Sequence, residues 1–439
     1  MGMKRLVLAF LFCAILLLAG CSTLHSGSLY ALPQRSQEYR DLQNAVQAAM
    51  GSGSYSAPVS GAYRQAIQQE DLDGDGVNEI LVFCKIDGGH PLRVLIFRRT
   101  ETSYEMLCSL EGDGTAFDSV QYAQIDGQPG QEILISRRIG EQVQPFLSVY
   151  TMNDRTAKEL LSSGYAAYSV VDLDGDARSD LFILRANAEG PRAYAELYRF
   201  RGGELRKDTE ASLSTAADSV KRVLTGNVAP DVPAVFVAST YDERNLITDV
   251  FVLQGKAFVN ITQNAESGQS AQTVRNYYVY STDIDSNGVI ELPKTVPLPG
   301  IEGDPQSYGQ YRIDWYNLSP NGARTENRST YHNFSDGWFL FLPEDWTQSL
   351  CVTKRREGGL TGTELSRMEK DGSRTGLVTV YAFSGEQAQA LSTQDGRVLL
   401  TQRGELWYSA LISESAGLDA DQLRERFSFI SPDLFPSDG

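Results

Sequence analysis

Histidine is nearly absent from this sequence: His25, His90 and His332 are the only three in 439 residues. No two of them stand at zinc spacing. No HExxH, GxSxG, SxxK or phosphate-loop sequence occurs, which removes the familiar zinc, serine and nucleotide chemistries. Positive charge is also short, with 39 Lys and Arg against 56 Asp and Glu and a formal net charge of -17. Phosphate-led binding needs clustered Lys and Arg, so nucleic acid is excluded as a partner. The five Cys are too few for a disulfide scaffold. The unbroken apolar run Leu6 to Leu18 has thirteen residues, where a membrane-spanning helix needs about 20. Disorder is excluded as well, because an apolar share of 41% is ample for packed cores. At roughly 100–200 residues per domain, this length predicts two to four domains.

The first residues carry an address. Lys4 and Arg5 precede the apolar run, and Leu18-Ala19-Gly20-Cys21 closes it with small residues. Positive, apolar and small in that order is the pattern of a secretory signal. The tetrad resembles a bacterial lipobox, which implies cleavage before Cys21 and a lipid on its thiol. Several acyl chains anchor firmly, where one holds only marginally. Residues 1–20 are therefore a signal peptide, and the chain is expected on the extracytoplasmic side of a cell membrane, held by its lipid. Their loss removes Lys4 and Arg5 and no acid, so the charge becomes -19. Cys84, Cys108 and Cys351 remain beside the lipidated Cys21, and all three are expected as buried apolar residues. Residues 21–60 form a tether and an amphipathic helix. Ser36 caps that helix, Gly51 ends it, and Tyr39, Leu42, Val46 and Met50 share its buried face.

Self-comparison then finds a repeat. Asp71-Leu-Asp-Gly-Asp-Gly-Val-Asn-Glu79, Asp172-Leu-Asp-Gly-Asp-Ala-Arg-Ser-Asp180 and Asp283-Ile-Asp-Ser-Asn-Gly-Val-Ile-Glu291 are three copies of one loop. Worn copies stand at Gln124 to Glu132 and Leu224 to Val232. The starts are 53, 48, 52 and 59 residues apart. A period near 50 suits a four-stranded unit with loops. One unit reads as strands over 119–125, 132–137, 145–152 and 157–162. A unit of this kind cannot bury both faces alone, so units must stack, and ring closure limits exposed edges. The fold expected is mainly β: a β-propeller of about five four-stranded blades over 61–325, then a small α+β domain over 326–439.

Carboxylates at loop positions 1, 3 and 5, a carbonyl at 7 and an acid at 9 can converge on one hard cation. Calcium accepts six to eight oxygens at about 2.3–2.6 Å. EF-hands are excluded, because position 12 holds Val82, Ile183 and Lys294 and a strand follows. The loops resemble the calcium loops of FG-GAP (VCBS) repeats, which build integrin-type propellers. The resemblance implies three ligand sets: Asp71, Asp73, Asp75 and Glu79; Asp172, Asp174, Asp176 and Asp180; Asp283, Asp285, Asn287 and Glu291. It implies two to three structural calcium ions. Ala177 departs from the pattern by replacing a turn glycine, at a position where φ > 0 is often needed.

The period is lost after about Pro320. Strands are predicted over 350–354, 364–368, 376–383, 398–401 and 406–412, with a short helix over 386–391 and a last helix capped by Asp419. The segment Phe339-Leu-Phe-Leu-Pro-Glu-Asp-Trp346 resembles PsbP-type α/β domains and brings no functional residue with it. Aromatics crowd the fifth unit: Tyr277, Tyr278, Tyr280, Tyr308, Tyr311, Trp315 and Tyr316. They are expected as packing between blades. Because the conspicuous acids belong to the loops, the chain is expected not to be an enzyme. The expected role is a surface lipoprotein that binds or scaffolds an envelope protein or glycan. The alternatives are a cell-envelope glycan-acting enzyme on a propeller scaffold and a purely structural assembly component.

Overall fold

The computed structural model describes residues 37–434, apart from 142, 154, 188–189 and 277–278. The signal, the lipidation site Cys21, most of the tether, His25, Tyr277 and Tyr278 lie outside the described residues. Among the described residues no helix is long and apolar enough to cross a membrane. The chain is mainly β and divides into two compact units.

The first unit holds helix α1 (Gln37–Met50) and strands β1 (Ser54–Tyr55), β2 (Ile67–Glu70), β3 (Glu79–Lys85), β4 (Leu92–Arg99) and β5 (Tyr104–Gly112). They form one antiparallel sheet in the order β1-β3-β4-β5, with β2 also paired to β3. The period-two strand sorts Ile80, Val82 and Cys84 onto one face, where they pack with Leu95, Phe97, Val46 and Met50. The helical spacing of Val46 and Met50 delivers both to that core. Tyr39, in the first turn of α1, stays 46% exposed, unlike its expected partners on that face.

The second unit is a series of antiparallel sheets. The first contains β6 (Ala116–Ala123), β7 (Glu132–Arg138), β8 (Phe146–Asn153) and β9 (Thr156–Gly164). The next contains β10 (Ala167–Val171), β11 (Asp180–Arg185), β12 (Tyr194–Arg201) and β13 (Glu204–Ser212). It is followed by β14 (Val220–Ala229), β15 (Val232–Thr240), β16 (Leu246–Gln254) and β17 (Ala257–Asn260). In these three sheets each strand pairs with its chain neighbour.

The period ends in a sheet of β18 (Leu292–Pro297), β19 (Tyr311–Leu318), β20 (Arg324–Asn333) and β21 (Trp338–Phe341). The 325/326 division falls inside β20. This sheet also takes a late strand, numbered β27 (Phe427–Phe429), onto β21. The last sheet has β22 (Leu350–Glu357), β23 (Leu360–Met368), β24 (Arg374–Phe383), β25 (Val398–Arg403) and β26 (Leu406–Ile412), in the order β22-β23-β24-β26-β25. Two short helices accompany it, α2 (Ala388–Leu391) and α3 (Ala420–Arg426). Asp419 caps α3 in a capping box with Gln422.

Consecutive sheets of this unit share cores, which explains why their middle strands are apolar on both faces. On β11, Leu181 and Ile183 pack with Leu134, Leu147 and Val149 of the preceding sheet. Phe182 and Leu184 pack on the opposite side with Val235, Val237 and Phe251 of the following one. Burying a side chain such as Phe182, with no exposed surface, contributes about 2–3 kcal/mol. Cys84 and Cys351 are free thiols. Cys84 and Cys351 are buried as expected, whereas Cys108 is only half-buried.

Candidate metal-binding loops

Each loop leads into a strand: in 124–132 and 172–180 the ninth residue opens the second strand of a hairpin, whereas Glu291 stands just before β18, the first strand of its sheet. Glu132 opens β7 and Asp180 opens β11. In the loop 172–180, Asp172 organises the turn: Oδ1 accepts the N–H of Gly175 at 2.8 Å, and Oδ2 accepts that of Ala177 at 2.9 Å. Asp176 accepts the N–H of Arg178 at 2.9 Å, and Asp180 that of Leu173 at 3.2 Å. The loop 283–291 repeats the scheme. Asp283 accepts from Asn287 at 3.0 Å and Gly288 at 2.8 Å, Asn287 from Val289 at 2.8 Å, and Glu291 from Ile284 at 3.1 Å. In the stretch 71–77, Asp71 accepts from Gly74 at 2.8 Å and Gly76 at 3.0 Å, Asp73 from Asp75 at 3.3 Å, and Asp75 from Val77 at 2.8 Å.

Those bonds require a left-handed backbone at positions 4 and 6. Gly74 and Gly76 have φ of 74° and 84°, and Gly175 has 72°. Ala177, at 64°, and Ser286, at 60°, adopt the same conformation with a Cβ, which costs about 1–2 kcal/mol each. The missing turn glycine at 177 therefore changes the residue and not the turn.

Carboxylate oxygens of Asp172, Asp174 and Asp176 lie within 4.8 Å of one another, and so do those of Asp283, Asp285 and Glu291. Oxygens on opposite sides of a calcium ion, each at about 2.4 Å, stand ~4.8 Å apart. The donors are all hard oxygens, which suits calcium over zinc or copper. Asp285 adds a second indication. Its side chain is 7% exposed, and Oδ2 faces Arg328 at 3.3 Å. Its Oδ1 is buried with no hydrogen-bond partner. A buried, unpaired carboxylate oxygen is costly, and a cation in that place relieves it. The residues of the third loop thus fit calcium.

One of the expected ligands, Asp180, is placed differently. Asp180 stays outside the close group of Asp172, Asp174 and Asp176 and pairs instead with Nε of Arg199 at 3.2 Å. Burial pushes its carboxyl up to about 7, and the charges of Asp172 and Asp176 add to the rise against the Leu173 N–H. Arg199 does not cancel this, because Asp174, Asp180 and Asp208 share it. Glu79 opens β3 and is buried against Arg98 at 3.1 Å.

Sequence reasoning missed a residue outside each loop. Arg98, Thr151 and Arg199 each follow a position-9 acid by 19 residues, on β4, β8 and β12. Asn317 on β19 plays the same part, donating to Glu291 at 2.9 Å. In all four sheets a register shift immediately precedes this residue, after Ile96, Val149, Leu197 and Trp315. A bulge re-aims the following side chain, here toward the loop. Extending the self-comparison past the loop would have found the shared 19-residue spacing.

The worn copies have other solutions. In 124–132, Gln124 replaces the first Asp. Its Nε2 donates to the carbonyls of Gln128 and, at 3.0 Å, Gly130, while Oε1 accepts the Gly127 N–H at 2.8 Å. An amide thus donates to carbonyls of the kind a cation would draw together. Glu132 remains buried and accepts the N–H groups of Ile125 at 2.6 Å and Asp126 at 3.1 Å. The copy at 224–232 has no such loop; β14 turns into β15 through Pro230 and Asp231, with φ of 58° at Asp231. Of the crowded aromatics, Tyr280, Trp315 and Tyr316 are buried as packing residues, whereas Tyr308 is 58% exposed.

No family model matches the chain, and no curated protein matches it. The FG-GAP resemblance therefore rests on the residues quoted above. Among solved structures, the exotype rhamnogalacturonan lyase YesX is similar at 14% identity and TM-score 0.24, covering 73% of this chain and 72% of that one. The Bacillus licheniformis rhamnogalacturonan lyase PL11 is similar at 15% identity and TM-score 0.28, covering 74% and 71%. Rhamnogalacturonan lyase YesW is similar at 14% and 0.26, covering 73% and 71%. These similar chains are named as enzymes, against the expectation that this chain is not one, and that expectation is withdrawn. At such TM-scores the likeness transfers no activity, substrate or catalytic residue.

Proposed function

We propose that the chain is a calcium-stapled β-propeller module of the FG-GAP type, held by a lipid on Cys21 at the extracytoplasmic face of a membrane. There it binds or scaffolds an envelope protein or glycan. The observation that carries the calcium reading is the third loop, where Asp283, Asp285 and Glu291 converge and a buried Asp285 oxygen lacks a partner. The propeller reading is supported by the near-50 period and by cores shared between consecutive sheets. Ions in these loops staple the two chain segments that flank each loop. They offset the repulsion among three carboxylates held within 4.8 Å. Thermal melting of the mature chain in excess EGTA tests this. The melting temperature falls, and calcium but not magnesium restores it; an unchanged melting curve rejects the reading.

The second reading is a glycan-acting enzyme on the same scaffold. The names of the similar solved structures prompt its assay: incubation with rhamnogalacturonan and chromatography for shortened chains. No residue of this chain is assigned to that chemistry.

A further inference from the structure

One cavity of the second unit stands apart by its chemistry. It has a volume of about 540 Å³ and is lined by residues of 261–273 together with β19 and β20. Thr262, Gln263, Asn264, Gln269, Gln272 and Arg324 give it a polar lining, and among the described residues no Asp or Glu lines it in a chain that has 56. The Arg324 guanidinium carbon lies 3.7 Å from the centroid of the buried Tyr316 ring. One edge of that guanidinium pairs with the exposed Glu326 at 2.6 Å, and its Nε has no hydrogen-bond partner.

Behind the cavity wall lies a second cation. Arg275 is buried, with Nε on the Val279 carbonyl at 2.6 Å and Nη1 on the Thr248 hydroxyl at 3.0 Å and the Thr273 carbonyl at 3.1 Å. Its Nη2 has no partner, and no carboxylate pairs with it among the described residues. Thr273 also lines the cavity. Two acids stand near these cations, Glu326 on Arg324 and the buried Asp249, which is held by Ser270 at 2.6 Å and Asn260 at 2.8 Å, and neither of them lines the cavity, so the charge that the lining itself presents is that of Arg324. Amides and hydroxyls both donate and accept, as sugar hydroxyls require, while guanidinium suits a carboxylate. A few placed polar groups in a concave site are what fix a small ligand.

We propose that this cavity binds a carboxylated sugar, either free or as a unit of a glycan. The proposal rests on the envelope-binding reading only for where such a ligand is met. The cavity uses none of the twelve calcium-loop residues.

The test uses the full mature chain with calcium present. Calorimetry and saturation-transfer NMR compare glucuronate and galacturonate with glucose and galactose. The two acids bind, and the neutral sugars do not at equal concentration. Gln272 is exposed, so Gln272→Glu leaves the fold intact and places a like charge beside the ligand. It weakens acid binding about tenfold, as does Arg324→Gln, through loss of a charged hydrogen bond. A short uronate oligomer that binds tighter than the monomer supports the proposal with a glycan as the source; equal affinity supports it with the free acid. Equal binding of neutral sugars, no acid binding by a folded chain, or an unaffected Gln272→Glu variant overturns it. Calcium binding is read separately on the same samples, so a failure here is distinguishable from a failure of the calcium loops.

Discussion

The loops 124–132 and 172–180 occupy the same place in consecutive sheets and solve one problem differently. Each joins the first strand of its sheet to the second, and each has a buried acid at position 9 that accepts the N–H of position 2. In 124–132 the amide of Gln124 donates to two loop carbonyls, so the turn is closed by its own side chain. In 172–180, Asp172, Asp174 and Asp176 crowd together, with Arg199 and Arg178 to counter them among the described residues. The difference teaches that this architecture does not need an ion at every loop. It needs a positive or hydrogen-bond-donating group there, which an amide provides in 124–132 and a guanidinium in 172–180.

Four outcomes sharpen or break this comparison. The largest is metal removal. At calcium one hundred times the dissociation constant, each bound ion contributes about 2.7 kcal/mol. Chelation is expected to raise hydrogen exchange in 172–180 and 283–291 while leaving 124–132 unchanged; uniform exchange across all three loops breaks the distinction. Next, Gln124→Ala leaves two carbonyls without their donor and costs about 1–2 kcal/mol in urea unfolding. Its effect is the same with and without calcium, and a calcium-dependent effect contradicts the metal-free role of that loop.

The third outcome concerns pH. The Asp180 carboxyl is raised to about 7 in the folded chain, so without metal it holds a proton that the unfolded chain has already lost. Ionising it therefore costs stability as pH rises from about 4 to about 7 in the metal-free protein. Calcium favours the ionised form, so its binding at this loop weakens as pH falls below about 7. Calcium titrations at pH 6 and pH 8 check the sign; tighter binding at the lower pH refutes it. The smallest outcome is Ala177→Gly, which removes a Cβ from a left-handed position and stabilises by about 1 kcal/mol. A destabilised variant would show that the methyl group packs usefully.

The repeat, the strand-entering loops and the positions of their acids were legible because they are local: a nine-residue pattern followed by an apolar run. The strands of the last sheet and the Asp419 cap were legible for the same reason. Arg98, Thr151, Arg199 and Asn317 were not read, since a bulge between neighbouring strands aims them and pairing register is invisible in one strand alone. Asp285 and Asp174 hold the same loop position, yet of the two the fold leaves only Asp285 with a buried, partnerless oxygen. The worn status of 124–132 was readable as lost ligands. Its replacement by the Gln124 amide was not, because that depends on where the loop carbonyls point. The acid-free cavity was hidden too, since 261–273 and 316–324 meet only in the folded sheet stack.

The most direct measurement counts calcium ions per chain by equilibrium dialysis and elemental analysis, for the mature protein and for Asp172→Ala with Asp283→Ala. Both aspartates are partly exposed, and each leads its loop. The double variant binds two fewer ions than the parent, one lost from each cluster. An unchanged count, or a parent that binds none, contradicts calcium in these loops.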